Sequence, residues 1–183
     1  MKAPTSDACY MGDVAHAANV SVTWLEKTMS RKLFEPSNRT IAGRSRIFNE
    51  FDAIRIAVMK VLAQRYQLPM AIAARVARRM KERLPEFETN LKTTRKPVFL
   101  VLSPVTNDWA IDFVIGIAEM NEVMRERQIP GSWSFGAICM NVTILAIETS
   151  DRLQRHIESE TQIDEQLRAR GDLSVYDDVE EES

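Results

Sequence analysis

Apolar positions recur at helical spacing on both sides of Asn19, close to the start of the chain. Asn tolerates the left-handed backbone conformation of a turn better than most residues. Ser21 stands where an N-cap hydroxyl would satisfy an unpaired amide of the next helix. The pattern therefore predicts a helix-turn-helix. Its apolar positions are Val14 and Ala18 in the first helix and Val22, Leu25 and Met29 in the second.

A loop rich in arginine follows these helices, over residues 35–46. Gly43 lies between Ile41 and the pair Ile47 and Phe48, as a short hairpin requires. This segment is predicted to form a basic wing beside the helix-turn-helix.

Two longer helices are predicted after the wing. Asn49 is placed to cap the first of them, whose apolar stripe runs from Phe51 to Arg65. Pro69 suits the first turn of the second helix, in which apolar residues recur every four positions until Pro85.

The second half of the chain mixes strand and helix patterns. The continuous apolar run 98–102 predicts a buried strand, and 109–118 predicts a strand that leads into a helix from Ile117 to Gln128. Alternation over 132–147 predicts one or two further strands, and a polar helix is predicted over 149–170. The apolar residues of the last strands are Trp133, Phe135, Val142, Ile144 and Ala146.

Together these elements predict an α+β fold: a mostly α N-terminal winged helix-turn-helix, then a small α+β domain and a C-terminal helix. The predicted winged helix-turn-helix domain covers 9–85, and an effector or dimerisation domain covers 97–148. The C-terminal helix covers 149–170, and 172–183 is predicted to be a disordered acidic tail.

Charge is divided unequally between the two halves of the chain. The overall composition, 45% hydrophobic and 27% charged, is that of an ordinary globular protein. Residues 1–96 hold 18 Lys and Arg against 9 Asp and Glu, a net charge of +9. Residues 97–183 hold 6 against 17, a net charge of −11. Because solubility does not require the signs to be segregated, the first half is predicted to meet a polyanion. The alternative is that it forms a solvated helical surface.

The compartment is predicted from what the sequence lacks. No apolar run approaches the roughly 18–20 residues of a membrane span, and Met1 to Met11 contains no apolar signal core. A cytoplasmic location is therefore predicted. The two cysteines, Cys9 and Cys139, are too few for a disulfide framework and are predicted to be reduced thiols.

Two segments, MGDVAHAANVSVTWLEKTMSRKLFEP and GRSRIFNEFDAIRI, carry a resemblance to a known family. They resemble the first two helices, and then the wing end and third helix, of the DNA-binding domain of MerR-family transcription regulators. The resemblance covers residues 10–84 and implies a homodimer that binds an inverted repeat in double-stranded DNA. The matching residues are Val14, Ala15, Val20, Ser21, Leu25 and Leu33, followed by Gly43, Arg46, Phe48, Glu50 and Asp52.

The chain also departs from the family pattern. Glu26, Lys27 and Thr28 stand where the family usually has Arg-Tyr-Tyr, and Asn19 replaces the usual turn glycine. Neither cysteine lies where the metal-sensing members bind their ion. The sequence therefore predicts no metal and no other cofactor.

The candidate DNA-binding residues follow from the helix-turn-helix and the wing. A recognition helix presents the polar residues near its N-terminus to base edges and phosphates in the major groove. Wing arginines suit phosphates and narrow grooves because a guanidinium binds phosphate through two hydrogen bonds. For Trp24 two roles stay open, packing against the wing or facing DNA. The candidates are Ser21, Thr23, Trp24, Lys27, Arg31, Arg39, Arg44 and Arg46.

No enzymatic activity is predicted, because residues suited to catalysis are few and scattered. The six glycines form no phosphate loop or dinucleotide fingerprint. His16 and His156 are expected to be separate surface or packing residues. Asp108 and Asp112 are four residues apart, the spacing of one helix face, but without a partner histidine they are expected to be solvated. The expected solvated face of the helix before Pro85 carries Arg75, Arg78 and Arg79.

These patterns predict a sequence-specific DNA-binding transcription regulator. Its acidic half is expected to dimerise, sense a ligand or meet a protein such as RNA polymerase. One alternative is a phage-type excisionase or architectural protein that bends DNA. A second alternative is a protein-interaction module or DNA mimic that acts through the acidic half.

Overall fold

A computed structural model of the protein describes residues 9–37, 47–83, 85–87, 89, 96–105, 108–126 and 137–169. Helices and three antiparallel strands form a mixed α+β fold with a C-terminal helix, which confirms the predicted fold class. The helices are α1 (Met11–Ala17), α2 (Val22–Ser30), α3 (Glu50–Lys60), α4 (Met70–Glu82), α5 (Ile117–Glu126) and α6 (Val142–Ala169). The strands are β1 (Val98–Val105), β2 (Asp108–Ile115) and β3 (Ile138–Asn141).

The predicted helix-turn-helix is present as α1 and α2. In the turn, Asn19 has a φ of 54°, in the left-handed region that Asn tolerates. Ser21 caps α2, because its Oγ accepts a hydrogen bond from the Trp24 N–H at 3.1 Å. Val14 from α1 and Leu25 from α2 are both fully buried, so the two helices share one apolar core.

The two helices predicted after the wing are also present. Asn49 and Asp52 form a reciprocal capping box at the start of α3: Asn49 Oδ1 accepts from the Asp52 N–H at 2.9 Å, and Asp52 Oδ2 accepts from the Asn49 N–H at 3.3 Å. A single π-helical turn, Val61–Arg65, extends α3 to the residue where the apolar stripe ends. After Pro69, α4 begins at Met70.

The three strands form one sheet in the order β2-β1-β3. The central place of β1 accounts for its apolar run, since residues 100–102 are all buried. Between β2 and α5, Gly116 has a φ of 94°, a conformation that a residue with a Cβ rarely adopts. The predicted strand over 98–102 and the change from strand to helix near Ile117 are confirmed.

The prediction was wrong for residues 142–148, which form the first turns of α6 instead of a strand. Ile144, which the alternating pattern counted as interior, is 55% exposed. Thr149 is a polar residue in the apolar pattern, and it is buried. Its Oγ1 donates a hydrogen bond to the carbonyl of Leu145 at 2.7 Å, so the hydroxyl is satisfied within the helix. The buried residues of this stretch are Val142, Ala146, Thr149 and Leu153. Their spacing of four, three and four residues is helical.

Helix α6 packs along α1 and α3 and so joins the C-terminal part of the chain to the helix-turn-helix. One core cluster includes Val14 of α1, Leu102 of β1 and Leu153 of α6. The domain boundaries at residues 85 and 97 stay predictions. Across the residues that the structure describes, no helix has both the length and the apolar character that a bilayer crossing requires.

Three sets of predictions lie outside the described residues. They are the wing arginines Arg39, Arg44 and Arg46, the strand with Trp133 and Phe135, and the acidic tail over 172–183.

Candidate nucleic-acid interface

The exposed side of α2 carries most of the predicted DNA-binding residues that lie in the described part of the chain. Thr23 and Lys27 lie four residues apart, and Arg31 follows four residues later as the C-cap. This spacing places the three side chains along one side of the helix, about 6 Å apart along its axis. All three are exposed, as is Ser21 at the N-cap. The structure therefore brings three of the eight candidates onto one open side of α2 and leaves a fourth, Ser21, exposed at its N-terminal end.

Trp24 lies one helical turn before Lys27, at the border between the exposed and the buried sides of α2. Its side chain is half-buried and packs against the hydrophobic core. Its carbonyl accepts a hydrogen bond from Oγ1 of the buried Thr28 at 2.8 Å, so the Thr28 hydroxyl is satisfied within the helix. The two roles considered for Trp24, packing against the wing or facing DNA, both stay predictions, because the contact that the structure describes is with the core.

The apolar stripe predicted along α2 was wrong at Val22, which is 43% exposed. Leu25 and Met29 are buried as expected, but in the first turn of the helix no neighbouring element covers Val22 among the described residues. An apolar side chain at this point can contact a thymine methyl group in a major groove. Val22 was not among the predicted contacts with DNA, because its spacing assigned it to the core.

Both ends of the predicted wing are held by buried contacts. At the start, Asp52 accepts hydrogen bonds from the Ser37 N–H at 3.0 Å and from Ser37 Oγ at 2.7 Å. At the end, Cys9 and Phe48 exchange two backbone hydrogen bonds of 2.9 Å, and Phe48 is fully buried. Residues 37 and 48 are therefore fixed against the helical core.

A buried ion pair organises the first of these anchors. Arg55 Nη1 lies 2.9 Å from Asp52 Oδ1, and both side chains are almost completely inaccessible. Arg55 also donates to the carbonyls of Ala77 and Glu35, and its guanidinium lies 4.5 Å from the centre of the Phe34 ring. Burial lowers the pKa of Arg55, and the Asp52 charge opposes that effect.

Arginines of α4 and its C-cap bind the edge of the sheet. Arg79 is exposed and Arg75 is partly exposed, so the predicted solvated face is present, but these two side chains also have partners within the protein. Arg75, Arg79 and Arg83 donate to the carbonyls of Trp109, Ile111 and Phe113 at 3.4, 3.0 and 3.2 Å. The arginines are four residues apart along the helical segment, a rise of about 6.0 Å, and their acceptors are two residues apart along the strand, a rise of about 6.8 Å. The spacing of the donors therefore nearly matches the spacing of the acceptors. These arginines satisfy carbonyl groups at the free edge of β2.

Asp108 is the acidic partner of this arginine row. It accepts two hydrogen bonds from the Arg75 guanidinium, one of them 2.9 Å long. That hydrogen bonding lowers the pKa of Asp108 and raises the pKa of Arg75. Asp108 is exposed, as expected, and Asp112 is half-buried; both lie in strand β2 and share no helix face.

A cleft of about 440 Å³ lies beside the end of α2, between residues 32–36 and helices α3 and α4. Lys32, Arg78 and Lys81 line it. Lys81 is engaged, because its Nζ donates to the carbonyl of Pro36 at 3.0 Å. Within the described residues, Lys32 and Arg78 are exposed and make no side-chain hydrogen bond or ion pair. Positive charge therefore continues from Arg31 toward α4.

His16 and His156 are in contact, which corrects the expectation that they are separate. Their rings stack with centroids 4.1 Å apart, His16 from α1 and His156 from α6. Asp13 and Glu160 adjoin the same pair, and in the described parts of the chain the set Asp13, His156 and Glu160 has the spacing needed to hold a metal ion. Cys9 is buried, Cys139 is half-buried, and the two form no disulfide.

A scan of the chain against protein-family models gives no match. A search of curated proteins also finds no similar sequence. The interpretation of this surface therefore depends on its own geometry and charge.

Proposed function

We propose that this protein is a sequence-specific DNA-binding transcription regulator in which α2 is the recognition helix. The observation that carries the proposal is the open row of Thr23, Lys27 and Arg31, with Ser21 exposed at its N-terminal end, on the second helix of a helix-turn-helix. Hydroxyl groups at the N-terminal end suit base edges, and cations along the same side suit phosphates.

The fixed ends of the predicted wing support this proposal. Ser37 and Phe48 are tied to the core, so the segment between them starts and ends beside the helix-turn-helix. Arg39, Arg44 and Arg46 fall in that segment, where they would reach the backbone or the minor groove next to α2.

Not all of the positive charge in residues 1–96 is available to bind DNA. Four arginines donate hydrogen bonds to other groups of the protein and are not counted among the cations available to DNA: Arg55, Arg75, Arg79 and Arg83. The available cations are concentrated near α2, where Lys27, Arg31, Lys32 and Arg78 are exposed.

We also propose that the protein acts in the cytoplasm as a homodimer on an inverted repeat. A two-fold symmetric dimer places two recognition helices on two half-sites and multiplies a modest affinity per protomer. Apolar side chains of α6 are available for such a contact, since Ile163 is 55% exposed. RNA polymerase or another regulatory protein is the proposed further partner.

The test measures the salt dependence of binding to duplex DNA by the full chain. A genomic footprint of the tagged protein first gives the operator. Each lost phosphate contact reduces the slope of log K against log salt by about 0.9. Lys27→Gln with Arg31→Gln should therefore weaken binding and reduce the slope by about 1–2 units. Arg125→Gln, an exposed cation on α5, is the matched control and should leave the slope unchanged.

Other outcomes distinguish the alternatives. Several adjacent protected sites with strong bending would favour an excisionase or architectural protein. No duplex binding at low salt would reject the proposal and favour an interaction module or DNA mimic. Point variants are preferred to deletion of residues 97–183, because α6 packs on α1 and α3 and its loss would expose their apolar faces.

A further inference from the structure

Four titratable side chains meet where α6 crosses α1. Asp13 and His16 come from α1, and His156 and Glu160 come from α6, one helical turn apart. The Nε2 atom of His156 lies 3.6 Å from Asp13 Oδ1 and 3.4 Å from Glu160 Oε1. One imidazole nitrogen thus faces two carboxylate oxygens from two different helices.

These separations are long for hydrogen bonds and suit shared metal ligands. A charge-assisted N–H···O bond brings its heavy atoms to about 2.7–2.9 Å, and both observed distances are longer. Ligands at about 2.0–2.2 Å from a tetrahedral ion are separated from one another by about 3.3–3.6 Å. The distances 3.4 and 3.6 Å match that spacing, and all three ligand atoms lie within 4.8 Å of one another.

The surroundings orient the ligands. The second oxygen of Asp13 accepts a hydrogen bond from the Tyr10 N–H at 2.7 Å, which leaves Oδ1 directed toward His156. Such outer contacts on a ligand are typical of metal sites. Asp13 is only 9% exposed, and the stacked His16 ring restricts the rotation of the His156 imidazole.

The opposite side of the cluster is open. The Glu160 side chain is 58% exposed, so it can shorten its distance to Asp13 by a change of rotamer, and water can reach the fourth position. An imidazole with two carboxylates suits divalent ions of the first transition series, among which Zn²⁺ accepts tetrahedral nitrogen and oxygen ligands.

We propose that Asp13, His156 and Glu160 bind one divalent transition-metal ion, of the Zn²⁺ class, with water completing the coordination. The ion joins α6 to the first helix of the helix-turn-helix. This site uses none of the residues on the open side of α2, so it does not depend on the proposed DNA binding.

The experiment uses the purified full chain, freed of metal, and Zn²⁺ as the probe in equilibrium dialysis. One ion per chain is expected, with a rise in the melting temperature on loading. Co²⁺ should give the visible absorption of a tetrahedral site without a thiolate charge-transfer band. Glu160→Ala should weaken binding at least tenfold and abolish the thermal shift, since one of three protein ligands is lost. Glu160 is exposed, so this variant is expected to fold.

Two controls make the result decisive. Glu165→Ala removes the same charge from an exposed position of the same helix and should bind Zn²⁺ like the wild type. Cys139→Ser should also bind normally. Equal affinity in Glu160→Ala and wild type, loss of binding in Cys139→Ser, or the absence of stoichiometric binding would each overturn the proposal.

Discussion

Replacement of Asp52 by Asn tests the buried network at the start of the wing. The two side chains have the same shape, but the carboxylate is acceptor-only and the amide is not. Asp52 Oδ1 accepts from Arg55, from Ser37 Oγ and from the Ser37 N–H, while Oδ2 accepts from the N–H groups of Ser37 and Asn49. In either orientation of an Asn side chain, the NH₂ group faces donors. The substitution therefore breaks hydrogen bonds and leaves Arg55 buried without its counter-ion.

The magnitude follows from that loss. Removal of one partner from a buried ion pair costs about 3–5 kcal/mol, a large part of a typical unfolding free energy of about 5–15 kcal/mol. At an m-value of about 2 kcal/mol per M urea, the midpoint of unfolding should fall by about 1.5–2.5 M. The measurement is urea denaturation followed by circular dichroism. The control is Asp164→Asn on the exposed side of α6, which should change stability by less than about 0.5 kcal/mol.

A double variant separates the unpaired charge from lost packing. Asp52→Asn combined with Arg55→Met removes the buried cation, so it should be less destabilised than the sum of the two single variants. A loss below about 1 kcal/mol for Asp52→Asn, or strict additivity in the double variant, would refute the reasoning.

Three further substitutions test the core, the turn and the arginine row. Leu25→Ala should lower stability by about 2–5 kcal/mol because Leu25 is fully buried, whereas Val22→Ala, measured by the same denaturation, should change it little. Asn19→Val should lower the free energy of unfolding by about 1–2 kcal/mol, because residue 19 has a φ of 54°. Asn19→Gly should melt near the wild-type temperature. Similar melting temperatures for the two variants would contradict this reasoning. Hydrogen bonding from Arg75 lowers the pKa of Asp108 in the folded protein. The pair therefore stabilises the fold at pH values above the unfolded-state pKa of about 3.9. This stabilisation is lost as the pH falls through the lower, folded-state pKa. Asp108→Asn should therefore melt below the wild type at pH 7, with a gap that narrows below about pH 4; a gap independent of pH would exclude this role.

The sequence by itself determined the elements whose signals are local. Ser21 and Asn49 act as caps within three residues of themselves, and Asn19 forms its turn by its own conformational preference. The apolar run of β1 marks a strand with neighbours on both sides. Such signals depend on short-range geometry, which the order of residues fixes directly. They sufficed for the α+β class and for the open face of α2.

Only the tertiary structure decided which distant residues meet. Residues 142–148 alternate like a strand, but burial against α1 and α3 selects the helical face that includes the polar Thr149. His16 and His156 are 140 positions apart in the chain and still stack. Arg79 bonds to Ile111, 32 residues away. No periodicity encodes such pairs, because they depend on how complete elements pack, and that packing gave charged side chains at the surface partners within the protein.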